Sequence, residues 1–332
     1  MESVELAIVI VVFGLFFDYT NGFHDAANVI STVIATRVLA PLTAIILAGV
    51  LNTIGATQIS GVAQTIASGL IESKAATQSM ILSALIGAIS WNLLTWYFGI
   101  PSSSSYALVG GIIGAAWIDK GASIILWKGV AYKVVIPMVI SPILGFFLAL
   151  LLMKLLLYIL TLKKKREDLK IFRHLQVGSA SIIALSHGLN DAQKSMGVIT
   201  LGLFASGLIS SPQIPFWVIL ACAITMGLGT ASGGFRIIRT MGFRITKLEP
   251  IQGFGAEMSA SCVILIASFL GMPISSTHMI VGSIAGVGSA KGLRGVQWKI
   301  AHKLVMAWIL TLPGSALVAG LFYSLLIRFG WN

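Results

Sequence analysis

Asn21-Gly22-Phe23-His24-Asp25-Ala26-Ala27-Asn28 and His187-Gly188-Leu189-Asn190-Asp191-Ala192-Gln193-Lys194 are two versions of one phrase, 166 positions apart. Each sets an aspartate three residues after a glycine inside an otherwise apolar stretch. A second phrase also occurs twice: Gly99-Ile100-Pro101-Ser102-Ser103-Ser104-Ser105-Tyr106 and Gly271-Met272-Pro273-Ile274-Ser275-Ser276-Thr277-His278, 172 positions apart. Trp127 with Trp298 and Pro142 with Pro313 keep a spacing of 171. Landmarks that recur in order at nearly constant separation mark a duplicated half. The chain divides into a first membrane repeat (1–162), a basic linker (163–174) and a second membrane repeat (175–332). Whether the repeats are parallel or inverted depends on the number of spans in each half, which hydropathy alone leaves open.

The medium for these repeats is lipid. Of 332 residues, 57% are hydrophobic and only 10% charged, a balance foreign to a water-soluble domain. A span needs about 20 apolar residues, and such runs stand at Ala40–Ile59, Met80–Phe98, Val134–Leu162, Phe216–Ala231 and Lys303–Leu326. We expect an all-α polytopic protein with roughly ten to twelve membrane segments. The net charge of +11 does not read as a nucleic-acid surface, because the basic residues sit in short connectors and form no basic face. The densest group is Lys163, Lys164, Lys165, Arg166, Lys170 and Arg173, which the positive-inside rule places in the cytosol of a multi-pass cytoplasmic-membrane protein. Cys222 and Cys262 lie in apolar stretches, without disulfide or metal spacing. Val4–Phe17 follows acidic residues and reads as a retained helix, not a signal peptide.

An ionisable side chain at membrane depth costs about 2.5–3.5 kcal/mol, so Asp25, Asp191, Lys194 and Glu257 each demand a reason. Val4–Phe17 is short for a span, and Ala26–Ala35 resumes the apolar run. We therefore expect a helix interrupted near Gly22. On a helix, Asn21, Asp25 and Asn28 share one face and can aim oxygens at one point. In the second half Asp191 and Lys194 repeat the relation, with Asn190 and Gln193 beside them. Asp18, nearer its segment end, reads as a cap or interfacial residue, and His24 as a polar neighbour of the break.

The serine phrases describe helix starts with proline at the first helical position, unpaired N–H groups and a favourable dipole, which is an anion site in outline. The apolar runs that follow, Val109–Trp117 and Val281–Val287, are too short to cross a bilayer, so both phrases read as the tips of re-entrant hairpins. Helix starts attract an oxyanion whereas carboxylates repel it, so a site made of both must take cations together with the anion. Oxygen ligands suit Na⁺ or H⁺ rather than soft metals. No phosphate-binding loop or nucleophile elbow is present, so the chain is not read as an enzyme. An anion channel is the rival class.

The four phrases resemble those of the inorganic phosphate transporter (PiT) family, in the family's order and over essentially the whole chain. The resemblance implies two inverted repeats and cation-coupled symport of phosphate, Na⁺ favoured and H⁺ possible, by alternating access. It implies phosphate binding by Ser103, Ser104, Ser105, Ser275, Ser276, Thr277 and Asn28. Cations, including Na⁺ at Asp25 and Asp191, would be held by Asp25, Asn28, Asn190, Asp191 and Gln193. Asn21, Lys194 and Glu257, the last in Gly253-Phe254-Gly255-Ala256-Glu257, would serve the site or its gate. No cofactor is implied beyond the co-transported ion; lipid and, possible here, a second copy of the chain are the only partners. Some relatives carry sulfate. Tyr106 stands where the first hairpin often has histidine, and Lys194 replaces the asparagine of eukaryotic members.

Overall fold

A computed structural model describes residues 3–163 and 170–329. Thirteen α-helices follow in order: α1 (Ser3–Ala35), α2 (Pro41–Ala56), α3 (Gly61–Ser68), α4 (Gln78–Tyr97), α5 (Ser104–Lys120), α6 (Trp127–Val130), α7 (Ile136–Lys163), α8 (Ile171–Ala205), α9 (Phe216–Ser232), α10 (Phe235–Phe243), α11 (Pro250–Phe269), α12 (Ser276–Ser289) and α13 (Trp298–Arg328). A π-turn at Ala131–Val135 joins α6 to α7, so Trp127–Thr161 is one 35-residue span. Of the linker, Lys163 closes α7 and Ile171–His174 opens α8; residues 164–169 lie outside the described residues.

Among the described residues five helices are long and apolar enough to cross a membrane, and seven spans result when each bent pair counts as one. Those pairs are α2 with α3, bent by 68°, and α9 with α10, bent by 70°. The short helices α5 and α12, and α8, which is rich in polar residues, fall outside that count. One face of α1 shows Val4, Ile8, Val12 and Phe16 to the outside, and α7 shows Val139, Ile143, Phe147, Leu151 and Leu155. Large apolar side chains exposed in rows at helical spacing are the surface that lipid covers.

The aspartate helices are not interrupted. α1 runs unbroken for 33 residues through Gly22, and α8 for 35 through Gly188. The glycines serve packing instead. A Cβ on Gly22 would lie 2.6 Å from the Met226 carbonyl of α9, and one on Gly188 would collide with the Asn52 carbonyl of α2. In lipid, glycine costs a helix little because its backbone bonds are already made, and it lets neighbouring backbones touch. The real breaks lie at α2/α3 and α9/α10, where the chain turns in the same way in each half.

Helix packing comes in reciprocal couples. α1 packs on α9 and α8 on α2; α5 packs on α13 and α12 on α7. α1 and α8 run antiparallel through the centre: Gly202 meets Ile10, Gly14 meets Ile199, and Thr36 meets Gln176. α4–α5 and α11–α12 form two hairpins whose turns are alike. Gly99 (φ +65°) and Gly271 (φ +66°) adopt the left-handed conformation, and each closes its helix with paired bonds, Ile100 N–H to Thr95 O (2.9 Å) and Met272 N–H to Ala267 O (2.8 Å). Only glycine takes that φ without strain, so this residue ends the helix and turns the chain toward the serine phrase.

Candidate functional site

Four helices deliver the site. α1 and α8 bring the aspartates, and the starts of α5 and α12 bring the serines. Proline does not open either helix: Ser103 and Ser275 are the N-caps, their hydroxyls accepting from Tyr106 N–H (3.3 Å) and His278 N–H (3.2 Å). A serine at that position satisfies one orphan donor, which proline at the same place cannot do. Ser103 and Ser275 are therefore engaged in capping, and Ser104, Ser105, Ser276 and Thr277 form the first turns. The N–H groups of these turns have no intrahelical acceptor.

The residues then meet. Ser104 Oγ lies 2.7 Å from Asp25 Oδ2 and 2.5 Å from Asn21 Oδ1, two acceptors for its one proton. Its counterpart Ser276 Oγ donates to Asp191 Oδ2 (2.5 Å). The halves are also stitched across. Thr277 Oγ1 donates to Asp25 Oδ1 (3.2 Å), Asn28 Nδ2 donates to Ser276 Oγ (3.1 Å) and Thr277 Oγ1 (3.0 Å), and Ser105 Oγ donates to the Ile274 carbonyl (3.2 Å). Ligand atoms of Asp25, His187 and Asp191 all lie within 4.8 Å of one another. The cluster is sealed: Asp25 is 2% exposed and Asp191 0%.

Lys194 touches Asp191 Oδ1 and donates to the Ile274 carbonyl (3.0 Å). Two imidazoles complete the cluster. His24 Nδ1 lies 2.8 Å from Asp25 Oδ1, with Nε2 toward Thr95 Oγ1 (3.2 Å). His187 Nε2 lies 2.8 Å from Asp191 Oδ2, with Nδ1 toward Asn52 Oδ1 (3.2 Å). His24 was expected beside a helix break; α1 has no break there, and the imidazole instead pairs with Asp25 and Thr95, whereas His187 was not among the expected site residues. Its position, four before Asp191, is where the first phrase carries Asn21.

Other expected residues lie elsewhere. Gln193 turns away from the centre: its Oε1 accepts from Val62 N–H (2.8 Å) and Ala63 N–H (3.0 Å), capping α3, and its Nε2 donates to Leu189 O. It sits two residues from Asp191, which on a helix is the far side. Asn190 donates to Ser268 Oγ (2.8 Å) in α11 while its Oδ1 stays unpaired. Glu257 is buried in a separate polar knot, where it accepts from Thr32 Oγ1 (2.6 Å), Gln176 Nε2 (3.1 Å) and Ser179 Oγ. Asp18 is no surface cap: it is wholly buried inside α1 beside Ser195. His278 stacks on Trp308 with ring centres 3.9 Å apart.

Known proteins share this sequence pattern and this fold. The model of the phosphate transporter family PHO4 matches residues 21–170 and again 160–319. A protein of Rhizobium meliloti named "Probable low-affinity inorganic phosphate transporter" is 44% identical over 320 residues, covering 96% of each chain. A Bacillus subtilis protein of the same name is 42% identical over 324 residues, covering 97% of each. A solved structure titled "The sodium-dependent phosphate transporter" superposes with a TM-score of 0.85 at 25% identity, over 98% of this chain and 99% of that one. This chain is a membrane transporter rather than an enzyme, and it belongs to the phosphate transporter family.

Proposed function

We propose that the chain moves inorganic phosphate together with monovalent cations, Na⁺ first and H⁺ as the other candidate, through the cluster of Asp25, Asp191 and the two serine turns. The carrying observation is the pairing of Ser104 with Asp25 and of Ser276 with Asp191. Each hydroxyl has one proton to give; that of Ser276 faces the Asp191 carboxylate, and that of Ser104 faces the Asp25 carboxylate and the Asn21 amide oxygen. A cation that neutralises the carboxylate frees that hydroxyl, and with it the first-turn N–H groups, for a phosphate oxygen. Anion and cation then bind as one unit, which is the requirement of symport. The relatives' names point to phosphate, and the solved neighbour's title to sodium.

Two inverted repeats with re-entrant hairpins are the architecture we infer for this site. Equivalent helices α1 and α8 run antiparallel and their packing partners exchange reciprocally, as an axis in the membrane plane requires. With the centre sealed from both sides, rocking of one repeat on the other supplies alternating access. The basic linker faces the cytosol of a cytoplasmic membrane in this reading.

Purified protein in liposomes, loaded with radioactive phosphate outside and given first an inward Na⁺ gradient and then an inward H⁺ gradient, tests it. Accumulation above equilibrium under one gradient, lost in Asp25→Asn with the fold intact, is the expected result. Phosphate flux indifferent to both gradients means a channel, and sulfate competing at equal concentration moves the substrate assignment to sulfate.

A further inference from the structure

Lys194 is the only lysine or arginine among the described residues that is buried, at 0% exposure. Its four-carbon stem is packed inside the bundle, and its ammonium ends on two oxygens of the centre, Asp191 Oδ1 and the Ile274 carbonyl at the second hairpin tip. A carboxylate oxygen and a backbone carbonyl at a helix start are oxygen ligands of the kind that hold an alkali cation. Here a tethered cation already holds them.

The first half is built differently at the equivalent position. Asn28 stands 166 residues before Lys194, and it is too short and uncharged to neutralise Asp25. Its Nδ2 reaches across to Ser276 and Thr277, and its Oδ1, although buried, has no donor. Asp25 has the His24 imidazole and the hydroxyls of Ser104 and Thr277, and among the described residues no ammonium or guanidinium in direct contact. One half thus presents a carboxylate and an unpaired amide oxygen side by side, and the other presents a finished ion pair. The two carboxylates and one ammonium sum to one negative charge, where an amide in place of Lys194 would leave two.

We propose that the Lys194 ammonium permanently occupies one of two equivalent cation positions, so that this chain carries one cation fewer per phosphate than the same protein with asparagine at that place. The proposal deepens the symport reading and rests on it. In this protein the mobile cation takes the Asp25 half, and the Asp191 half is charged from within. Lys194 sets stoichiometry rather than contacting the anion.

The test measures the number of cations moved per phosphate in proteoliposomes, from the membrane potential that brings net flux to zero under imposed phosphate and cation gradients, for whichever of Na⁺ or H⁺ drives uptake. Lys194→Asn raises the ratio by one, and Lys194→Arg leaves it unchanged. Thermal melting and gel filtration in detergent report whether each variant is folded. Should Lys194→Asn fold without transporting, equilibrium binding to the purified protein with phosphate present, of radioactive Na⁺ where Na⁺ drives uptake in the parent and of protons by titration where H⁺ does, shows one more bound ion than the parent. An unchanged ratio, or an unchanged bound count, overturns the proposal. Weaker phosphate binding at saturating cation with no change in cation number also overturns it, by making Lys194 an anion ligand. A parent protein that accumulates no phosphate under either gradient defeats the symport reading instead, and the Na⁺ count still judges the lysine.

Discussion

The two central aspartates differ in what their loss leaves behind, and replacing each by asparagine separates them. Asp191 is in direct contact with the wholly buried Lys194, whose remaining partner is one carbonyl. Asp191→Asn strands that ammonium, and breaking one side of a buried ion pair costs about 3–5 kcal/mol. Asp25 lies close enough to Asp191 to soften the loss, so the lower end of that range is expected. Asp25→Asn leaves the Asp191–Lys194 pair whole and removes the second of the two carboxylate charges set against one ammonium. It costs only one mismatched hydrogen bond, about 1 kcal/mol, because Ser104 and Thr277 both donate toward a group that then accepts through one atom. Removing both partners in Asp191→Asn/Lys194→Gln replaces an ion pair by two amides of similar size, which is close to neutral. Thermal or denaturant unfolding of the parent, Asp191→Asn, Lys194→Gln and the double variant in one detergent gives the cycle, with a coupling between positions 191 and 194 of about 3 kcal/mol, and Asp25→Asn is measured beside them. Equal destabilisation by the two aspartate changes, or a double variant no more stable than Asp191→Asn, refutes the assignment of Lys194 as a charge held by Asp191.

The glycines of the aspartate helices give a second check. Gly22→Ala places its Cβ against the backbone of α9 and costs about 1–3 kcal/mol by overpacking, whereas Gly178→Ala in the same kind of helix meets nothing within 4 Å and gains up to about 1 kcal/mol in helix propensity; melting temperatures that move in opposite directions are expected. For the serines, Ser104→Ala with Ser276→Ala removes the two hydroxyls that the symport reading hands from carboxylate to phosphate. Each such bond to a charged group contributes about 1.5–3 kcal/mol, so the phosphate concentration for half-maximal uptake rises at least tenfold per site, and an unchanged value at saturating cation sinks the hand-over.

Much of this fold was legible because its evidence is periodic. The repeated phrases located both aspartates and both serine turns, and the structure brings all of them to one point. The misreading at Gly22 has a physical cause. A glycine in an apolar run reads as a weak point because it loses most entropy on ordering, and nothing local distinguishes that from a glycine kept small so that another backbone can pass. The difference lies in Met226, some two hundred residues away. Proline before the serines misled in the same fashion: it marks the approach to the helix, but the cap belongs to the residue whose side chain can reach the N–H three positions on.

At the site, the helical period contained more than was taken from it. Asn21, Asp25 and Asn28 share a face of α1, and the same spacing on α8 selects His187, Asp191 and Lys194. Applied strictly, it finds His187 and excludes Gln193, which lies two residues from Asp191 and caps α3 on the other side. Extended along α1, it runs from Asp18 through Asn21, Asp25 and Asn28 to Thr32, every one buried, a polar seam down a helix whose outer face meets lipid. What no period contains is which helix supplies the partner. Glu257 joins that seam only because α11 lays it on Thr32 and on Gln176 and Ser179 of α8. That knot lies about 10 Å along α1 from Asp25, at 1.5 Å per residue. The polar seam of α1 thus has a buried carboxylate at each end, Asp18 on one side of the centre and, through Thr32, Glu257 of α11 on the other.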